Sequence, residues 1–174
     1  MKAVWYEQNG DADILQYGDM PDPEPGNGEV RVRVATSGVN PSDWKRRQGL
    51  TNLIEFPRVI PNQDGAGVID AVGSGVSESR IGERVWLFES QFKRPFGTGA
   101  EYTVQPSGHA VRLLDNTDFA AAAGLGVPAM TAHRCVFSDG PVTEKTVLVP
   151  GGSGAVGHYA IQLAKLAGAM VIST

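Results

Sequence analysis

Short runs in which apolar and polar residues alternate dominate the first two-thirds of the chain. In residues 29–35 three valines alternate with two arginines, which predicts a half-buried β-strand. A helix is predicted to begin at Pro41, after the potential cap Asn40, and to end at Gly49. Further strands, separated by turns of glycine and proline, are predicted at residues 2–6, 14–17, 67–72, 84–88, 100–105 and 109–114. Residues 1–116 are therefore predicted to form a mostly β domain, a small barrel.

The pattern changes after residue 116. Helices are predicted over residues 119–123 and from 128 to 137. Residues 146–149 and 169–172 are apolar runs without polar alternation, typical of strands buried on both faces of a parallel sheet. Apolar positions at helical spacing, from Val156 to Gly168, lie between them. Residues 117–174 thus predict connecting helices and the start of an α/β Rossmann domain, and the sequence ends after one βαβ unit.

A glycine-rich loop joins the first of these strands to the helix. It reads Gly152, Ser153, Gly154, Ala155, Val156, Gly157, which is the pattern G-x-G-x-x-G in the strand–loop–helix setting that binds dinucleotides. In that setting Gly152 permits a tight turn, Gly154 lets backbone approach the pyrophosphate, and Gly157 lets the helix pack closely. The amides at the helix start then hold the phosphates. The acidic residue that grips the ribose lies about twenty positions further on, where this sequence reaches Thr174, so the residues present do not separate NAD from NADP.

Composition narrows the class of partner. A net charge of −4 argues against nucleic acid or an anionic membrane as the partner. The longest uncharged apolar stretch, residues 119–132, is too short to span a bilayer and is interrupted by glycine and proline. A single cysteine, Cys135, excludes an internal disulfide and a multi-cysteine zinc cluster. We therefore expect a cytoplasmic protein that acts on a small molecule.

Several stretches, taken together and in order, resemble the quinone oxidoreductase (ζ-crystallin-like) branch of the medium-chain dehydrogenase/reductase superfamily. They are residues 37–43 (SGVNPSD), 61–69 (PNQDGAGVI), 82–85 (GERV), 99–102 (GAEY), 128–132 (PAMTA) and the glycine loop. The resemblance implies a GroES-like barrel followed by a Rossmann domain. It also implies NADPH as the hydride donor to a quinone or an activated alkene.

The resemblance also indicates whether the protein binds a catalytic zinc ion. Zinc-dependent relatives place a cysteine ligand where this chain has Asn40, and a His-Glu pair where it has Gln63 and Asp64. A catalytic zinc takes three protein ligands, and that set is absent from the sequence. Zinc-independent chemistry is therefore expected, with no metal site.

Carried over position by position, the resemblance implies the site residues. Asn40 and Asp43 are expected beside the nicotinamide and the substrate, as the catalytic residues, with capping and dipole support of the helix as their alternative roles. Thr131 is expected to approach the nicotinamide amide, and residues 152–157 to cradle the pyrophosphate. Lys45 stands where many relatives have a tyrosine that contacts the cofactor, so the resemblance assigns Lys45 to the cofactor. The alternative role of Lys45 is to lie on a solvated face of the helix. No strong general acid is evident, so water is expected to deliver the proton.

Other functions stay open on the sequence. One is a truncated or non-catalytic medium-chain-reductase-like protein with only partial nucleotide affinity. Another is an alkenal or enoyl-thioester reductase with the same fold and cofactor. Since a parallel sheet of two strands leaves apolar surface and strand edges exposed, we expect a homodimer and no NADPH turnover by the 174 residues alone.

Overall fold

The computed structural model describes all 174 residues, which divide into two compact units, Met1–Gly126 and Val127–Thr174. The first unit contains seven strands and the second contains two. The compact units divide after Gly126, ten residues beyond the predicted domain boundary at residue 116, and that boundary stays a prediction.

The first unit is mostly β, as predicted. Its strands are β1 (Lys2–Trp5), β2 (Gln16–Asp19), β3 (Glu29–Gly38), β4 (Asp64–Val72), β5 (Arg84–Leu87), β6 (Tyr102–Pro106) and β7 (Ala110–Arg112). Five of them form an antiparallel sheet in the order β6-β3-β4-β5-β7, and β1 pairs with β2. The core of the sheet consists of Val30, Val32, Ile69, Val85, Leu87 and Ala110. These side chains are the apolar members of the alternating runs, so the alternation identified the buried face.

Two of the predicted strands begin at different residues in the structure. Residues 14–17 were predicted as a strand, but Ala12–Ile14 form a 3₁₀ turn and β2 begins at Gln16. The apolar residues of this run do not enter the core, since Tyr17 is 72% exposed. The strand predicted from residue 67 begins at Asp64 and pairs with the end of β3, with Gly38 opposite Asp64.

The first helix, α1 (Pro41–Arg47), confirms the local signals in the sequence. Asn40 occupies the N-cap position with extended backbone, and Pro41 is the first helical residue. Gly49 has φ +79°, a left-handed conformation that glycine adopts without strain. From the β1–β2 connection Asn9 Nδ2 donates to two carbonyl oxygens of the last turn, each at 3.1 Å, and so fixes the end of the helix.

A short helix, α2 (Phe119–Ala122), precedes a π-helical turn at Leu125–Ala129 and the helix α3 (Met130–Phe137). The prediction that Pro128 opens the second helix was wrong. Pro128 lies inside the π turn and α3 begins two residues later. Because proline has no N–H and its ring crowds the preceding turn, the backbone widens there.

The second unit contains the predicted βαβ arrangement. β8 (Thr146–Val149) and β9 (Met170–Ser173) are parallel, and α4 (Ala155–Leu166) connects them. Ala132 of α3, Val149 of β8 and Ala160 of α4 form its buried cluster. No helix in the structure has the length and apolar character needed to cross a membrane.

The two-stranded sheet has one exposed apolar face, as expected for two parallel strands by themselves. Val149 is 7% exposed, but Leu148, Met170 and Ile172 are 61%, 62% and 51% exposed. Successive side chains in a strand point to opposite faces, and within this unit α3 and α4 cover one face only. The apolar residues of the other face are therefore accessible in the chain as it stands.

Candidate functional site

The turn after β8 directs the chain into α4. Gly151 has φ +70°, and the N-cap of α4, Gly154, is extended at φ −77° and ψ 162°. The left-handed turn therefore belongs to Gly151 and not to Gly152, to which the sequence motif assigned it. Sequence reasoning missed Gly151, although the two adjacent glycines were the signal for it.

The three glycines of the motif have different steric surroundings. A Cβ on Gly152 would overlap Ser173 Oγ of β9. A Cβ on Gly157 would overlap the Gly151 carbonyl oxygen, so this glycine permits the close packing of helix on loop, as predicted. A Cβ on Gly154 would meet only the Gly151 carbonyl oxygen, at 3.3 Å. Gly154 is thus the motif glycine at which protein packing excludes a side chain least, and the space in front of it is open.

The start of α4 presents unpaired backbone amides to that open space. The helical hydrogen-bond ladder begins with His158 N–H, which donates to Gly154 O at 2.8 Å, so the amides of the three preceding residues have no acceptor within the helix. Ser153, Gly154, Ala155 and Val156 are exposed. Unpaired amides together with the positive end of a twelve-residue helix suit a phosphate. The residues present therefore fit the pyrophosphate of a dinucleotide.

In the first unit, a buried pair joins the start of α1 to the start of β4. Asn40 is 6% exposed, and its Nδ2 donates to Asp64 Oδ2 at 2.7 Å. Asp64 is fully buried, and its carboxylate lies so close to Gly126 that a Cβ there would overlap Oδ1. A carboxylate only accepts hydrogen bonds, so this contact fixes which end of the Asn40 amide faces Asp64.

Asp43 supports the same junction. Its Oδ2 accepts the Asn40 N–H at 2.7 Å and its Oδ1 accepts the Gln63 N–H at 3.3 Å. Burial raises the pKa of the Asp43 carboxyl, and the two backbone donors oppose that shift. Its carboxylate thus ties α1 to the segment before β4, and a catalytic role for Asp43 stays a prediction.

A cleft of about 620 Å³ opens beside Asp43, within the usual size range of small-molecule pockets. Its polar wall includes Ser37, Asn62 and Thr98, and its apolar wall includes Tyr17 and Trp44. The cleft lies wholly within the first unit.

The structure groups the predicted site residues unevenly. Asn40 and Asp43 share one hydrogen-bonded cluster in the first unit, and residues 152–157 form the loop before α4 in the second unit. Lys45 is exposed on α1, with Nζ 5.6 Å from the centre of the Trp44 ring. Thr131 is exposed at the start of α3 in the second unit. The cofactor contacts of Lys45 and Thr131 stay predictions. Sequence reasoning did not assign Asp64 to the site, although an acidic residue at the head of an apolar, glycine-rich strand was a signal for it.

Comparison with known proteins identifies the fold. Residues 26–116 match the family model of the alcohol dehydrogenase GroES-like domain, which is just over half of the chain. The chain belongs to this family. Its relatives place it on the quinone-oxidoreductase-like branch of the medium-chain dehydrogenase/reductase superfamily, which confirms the resemblance and the predicted fold class.

Three relatives illustrate this placement. A chloroplastic quinone-oxidoreductase homolog of Spinacia oleracea is 33% identical over all of this chain and 55% of its own length. An NADPH-dependent alkenal/one oxidoreductase of Arabidopsis thaliana is 37% identical over 95% of this chain and 44% of its own. A mycobacterial protein solved in complex with NADPH is 29% identical, with a TM-score of 0.86 over 99% of this chain and 52% of its own. This GroES-like chain therefore spans about half the length of the relatives that it matches.

Proposed function

We propose that this chain carries the GroES-like domain and the phosphate-binding loop of an NADPH-dependent oxidoreductase that reduces a quinone or an activated alkene without zinc. The relatives are oxidoreductases of quinones and of alkenals or enones, which supports the oxidoreductase class. NADPH, when bound, supplies the hydride. The whole protein's activity remains a proposal, since the chain covers about half of each relative.

The glycine loop is the observation that carries the proposal. Gly157 and Gly152 are packed against backbone and strand, which fixes the loop, while the space at Gly154 is open. Preorganised amides need no rearrangement to receive a charged phosphate. A loop that merely turned the chain would need glycine at Gly151, where φ is positive, but not at Gly154.

The Asn40–Asp64 pair supports zinc independence. Protein ligands of zinc are thiolates, imidazoles and carboxylates, and the amide nitrogen of Asn40 belongs to none of these classes. That nitrogen donates a hydrogen bond to Asp64 Oδ2, so this carboxylate oxygen is engaged within the protein. Where zinc-dependent relatives place a cysteine and a His-Glu pair, this chain therefore has an internal hydrogen bond.

We assign Asn40 and Asp43 to the nicotinamide and substrate region, and Lys45 and Thr131 to further cofactor contacts. The chain's own contribution is to orient and enclose, with the proton coming from water. A preference for NADPH over NADH is supported by two relatives that are described with NADPH. The exposed apolar face of Leu148 and its neighbours supports a homodimer. A cytoplasmic location rests on the single cysteine alone.

The proposal is tested with the full product of the reading frame that encodes this chain, whatever its length, after dialysis against a chelator. We expect NADPH oxidation with a quinone or a 2-alkenal at rates on the order of 1 per second or more, with no loss upon chelation. Activity that requires stoichiometric zinc would overturn zinc independence. Tight NADPH binding without turnover of any acceptor would favour the second candidate, a nucleotide-binding protein without catalysis.

A further inference from the structure

A chain of side-chain hydrogen bonds runs from the polar wall of the cleft to the backbone of Asp64. Asn62 Nδ2 donates to Ser37 Oγ at 2.8 Å, and Ser37 Oγ lies 2.8 Å from Thr98 Oγ1. The Thr98 hydroxyl donates to the Asp64 carbonyl oxygen at 2.5 Å. Because a hydroxyl has a single proton to donate, Ser37 must be the donor to Thr98. Every bond in the chain therefore points the same way, toward Asp64.

The outer end of this chain is held in an unusual backbone conformation. Asn62 has φ +80°, in the left-handed region that asparagine tolerates better than most other residues. Its carbonyl oxygen accepts the Thr98 N–H at 3.1 Å, and a Cβ on Gly97 would overlap it. Such conformations persist where the surroundings enforce them, and they concentrate at functional sites.

The inner end is held by packing. A Cβ on Gly65 would lie 2.8 Å from Thr98 Cγ2, so the methyl group of Thr98 sits directly against the backbone of β4. This packing fixes the rotamer of Thr98 and directs its hydroxyl to the Asp64 carbonyl oxygen. The Asp64 side chain in turn accepts from the Asn40 amide.

We propose that Asn62, Ser37 and Thr98 are positioning residues that set the orientation of Asp64 and, through Asp64, of the Asn40 amide. The inference rests on the proposed function in so far as it assigns Asn40 to the nicotinamide and substrate region. These residues act through Asp64 and do not themselves touch the reacting atoms. The relay consists of one amide and two hydroxyls and ends at the backbone carbonyl oxygen of Asp64, and the carboxylate of the same residue accepts the Asn40 amide.

Two substitutions of Thr98 separate positioning from packing. Thr98→Val keeps the shape and removes the hydroxyl, whereas Thr98→Ser keeps the hydroxyl and removes the methyl group. The readout is the side-chain amide signal of Asn40 in ¹⁵N-labelled protein, assigned by its disappearance in Asn40→Asp. We expect its solvent exchange to be about tenfold faster in Thr98→Val, as the loss of a buried hydrogen bond implies, and nearly unchanged in Thr98→Ser.

The opposite order, with Thr98→Ser perturbed and Thr98→Val unchanged, would show that Thr98 only fills space and would overturn the proposal. If Thr98→Val does not fold, Ser37→Ala tests the proposal instead. This variant interrupts the chain of hydrogen bonds at Ser37 but leaves the bond between Thr98 and Asp64 in place. Faster Asn40 exchange in that variant supports the relay and unchanged exchange overturns it. The exchange measurement needs no cofactor. If the Asn40 exchange rates change as expected but the protein does not oxidise NADPH, the proposed function is wrong and the positioning role stands.

Discussion

Replacing Gly154 by serine should separate the stability of the loop from its affinity for the cofactor. Gly154 is the N-cap of α4, its extended backbone suits any residue, and it has no side chain to cap the helix. The nearest atom to an added Cβ is the Gly151 carbonyl oxygen at 3.3 Å, which needs to yield by only a few tenths of an ångström. Serine is a favoured N-cap and also restricts the unfolded chain, so Gly154→Ser should raise the free energy of unfolding by about 0.5–1 kcal/mol.

The same substitution should weaken NADPH binding. The serine hydroxyl would accept a hydrogen bond from the amide of Val156 or Gly157, which are amides that we assign to the pyrophosphate. Its side chain also occupies the space through which the backbone approaches the phosphates. We expect the dissociation constant to rise about tenfold, which corresponds to about 1.4 kcal/mol.

Urea unfolding followed by circular dichroism measures the first effect, and titration of NADPH fluorescence measures the second. Gly108→Ser is the matched control, because Gly108 is exposed, has no atom within 4 Å of an added Cβ and lies far from the loop in sequence. It should leave NADPH affinity unchanged. A Gly154→Ser protein that is more stable and binds NADPH as tightly as the parent would refute the assignment of the phosphate site.

Three further substitutions test the structure. Gly157→Ala gains about 1 kcal/mol of helix propensity, but the added Cβ overlaps backbone atoms of the loop. We therefore expect the free energy of unfolding in urea to fall by about 1–2 kcal/mol. A variant more stable than the parent would contradict the close packing at Gly157. The raised pKa of Asp43 makes its contribution to stability greatest below the ordinary carboxyl value of 3.8, and that contribution declines as pH rises through the raised folded value. The parent should therefore lose stability relative to Asp43→Asn as pH increases from that ordinary value toward neutrality, and a constant difference would argue against a raised pKa. Arg84→Lys should cost about 1–2 kcal/mol in the same assay, because one ammonium cannot replace a guanidinium that donates to three carbonyl oxygens; no loss would show those bonds to be unimportant. The carbonyls belong to Leu114, Asp115 and Thr117.

Elements that are specified locally could be predicted from the sequence. The helix α1 carries its own start and stop, with Pro41 at the first position and Gly49 after the last turn. The βαβ unit could also be predicted, because apolar strand runs and a helical periodicity flank the glycine motif. In each case the signal lies within a few residues of the structure that it specifies.

Features that depend on distant partners could not be predicted. The start of β4 reads Asp-Gly-Ala-Gly, which has low strand propensity, and it is extended because it pairs with the end of β3. The Asn40–Asp64 bond spans 24 residues and the Ser37–Thr98 bond spans 61, so no local pattern reveals either.

We propose that the start of α4 holds the phosphates of NADPH. The most direct measurement is a titration of NADPH into ¹⁵N-labelled protein, observed through the backbone amide signals. We expect the largest shifts at Ser153, Ala155 and Val156, which are exposed and whose amides donate to no backbone carbonyl of the protein. Binding that shifts only amides of the first unit, or no shift in the loop at NADPH concentrations that saturate the protein, would contradict the account.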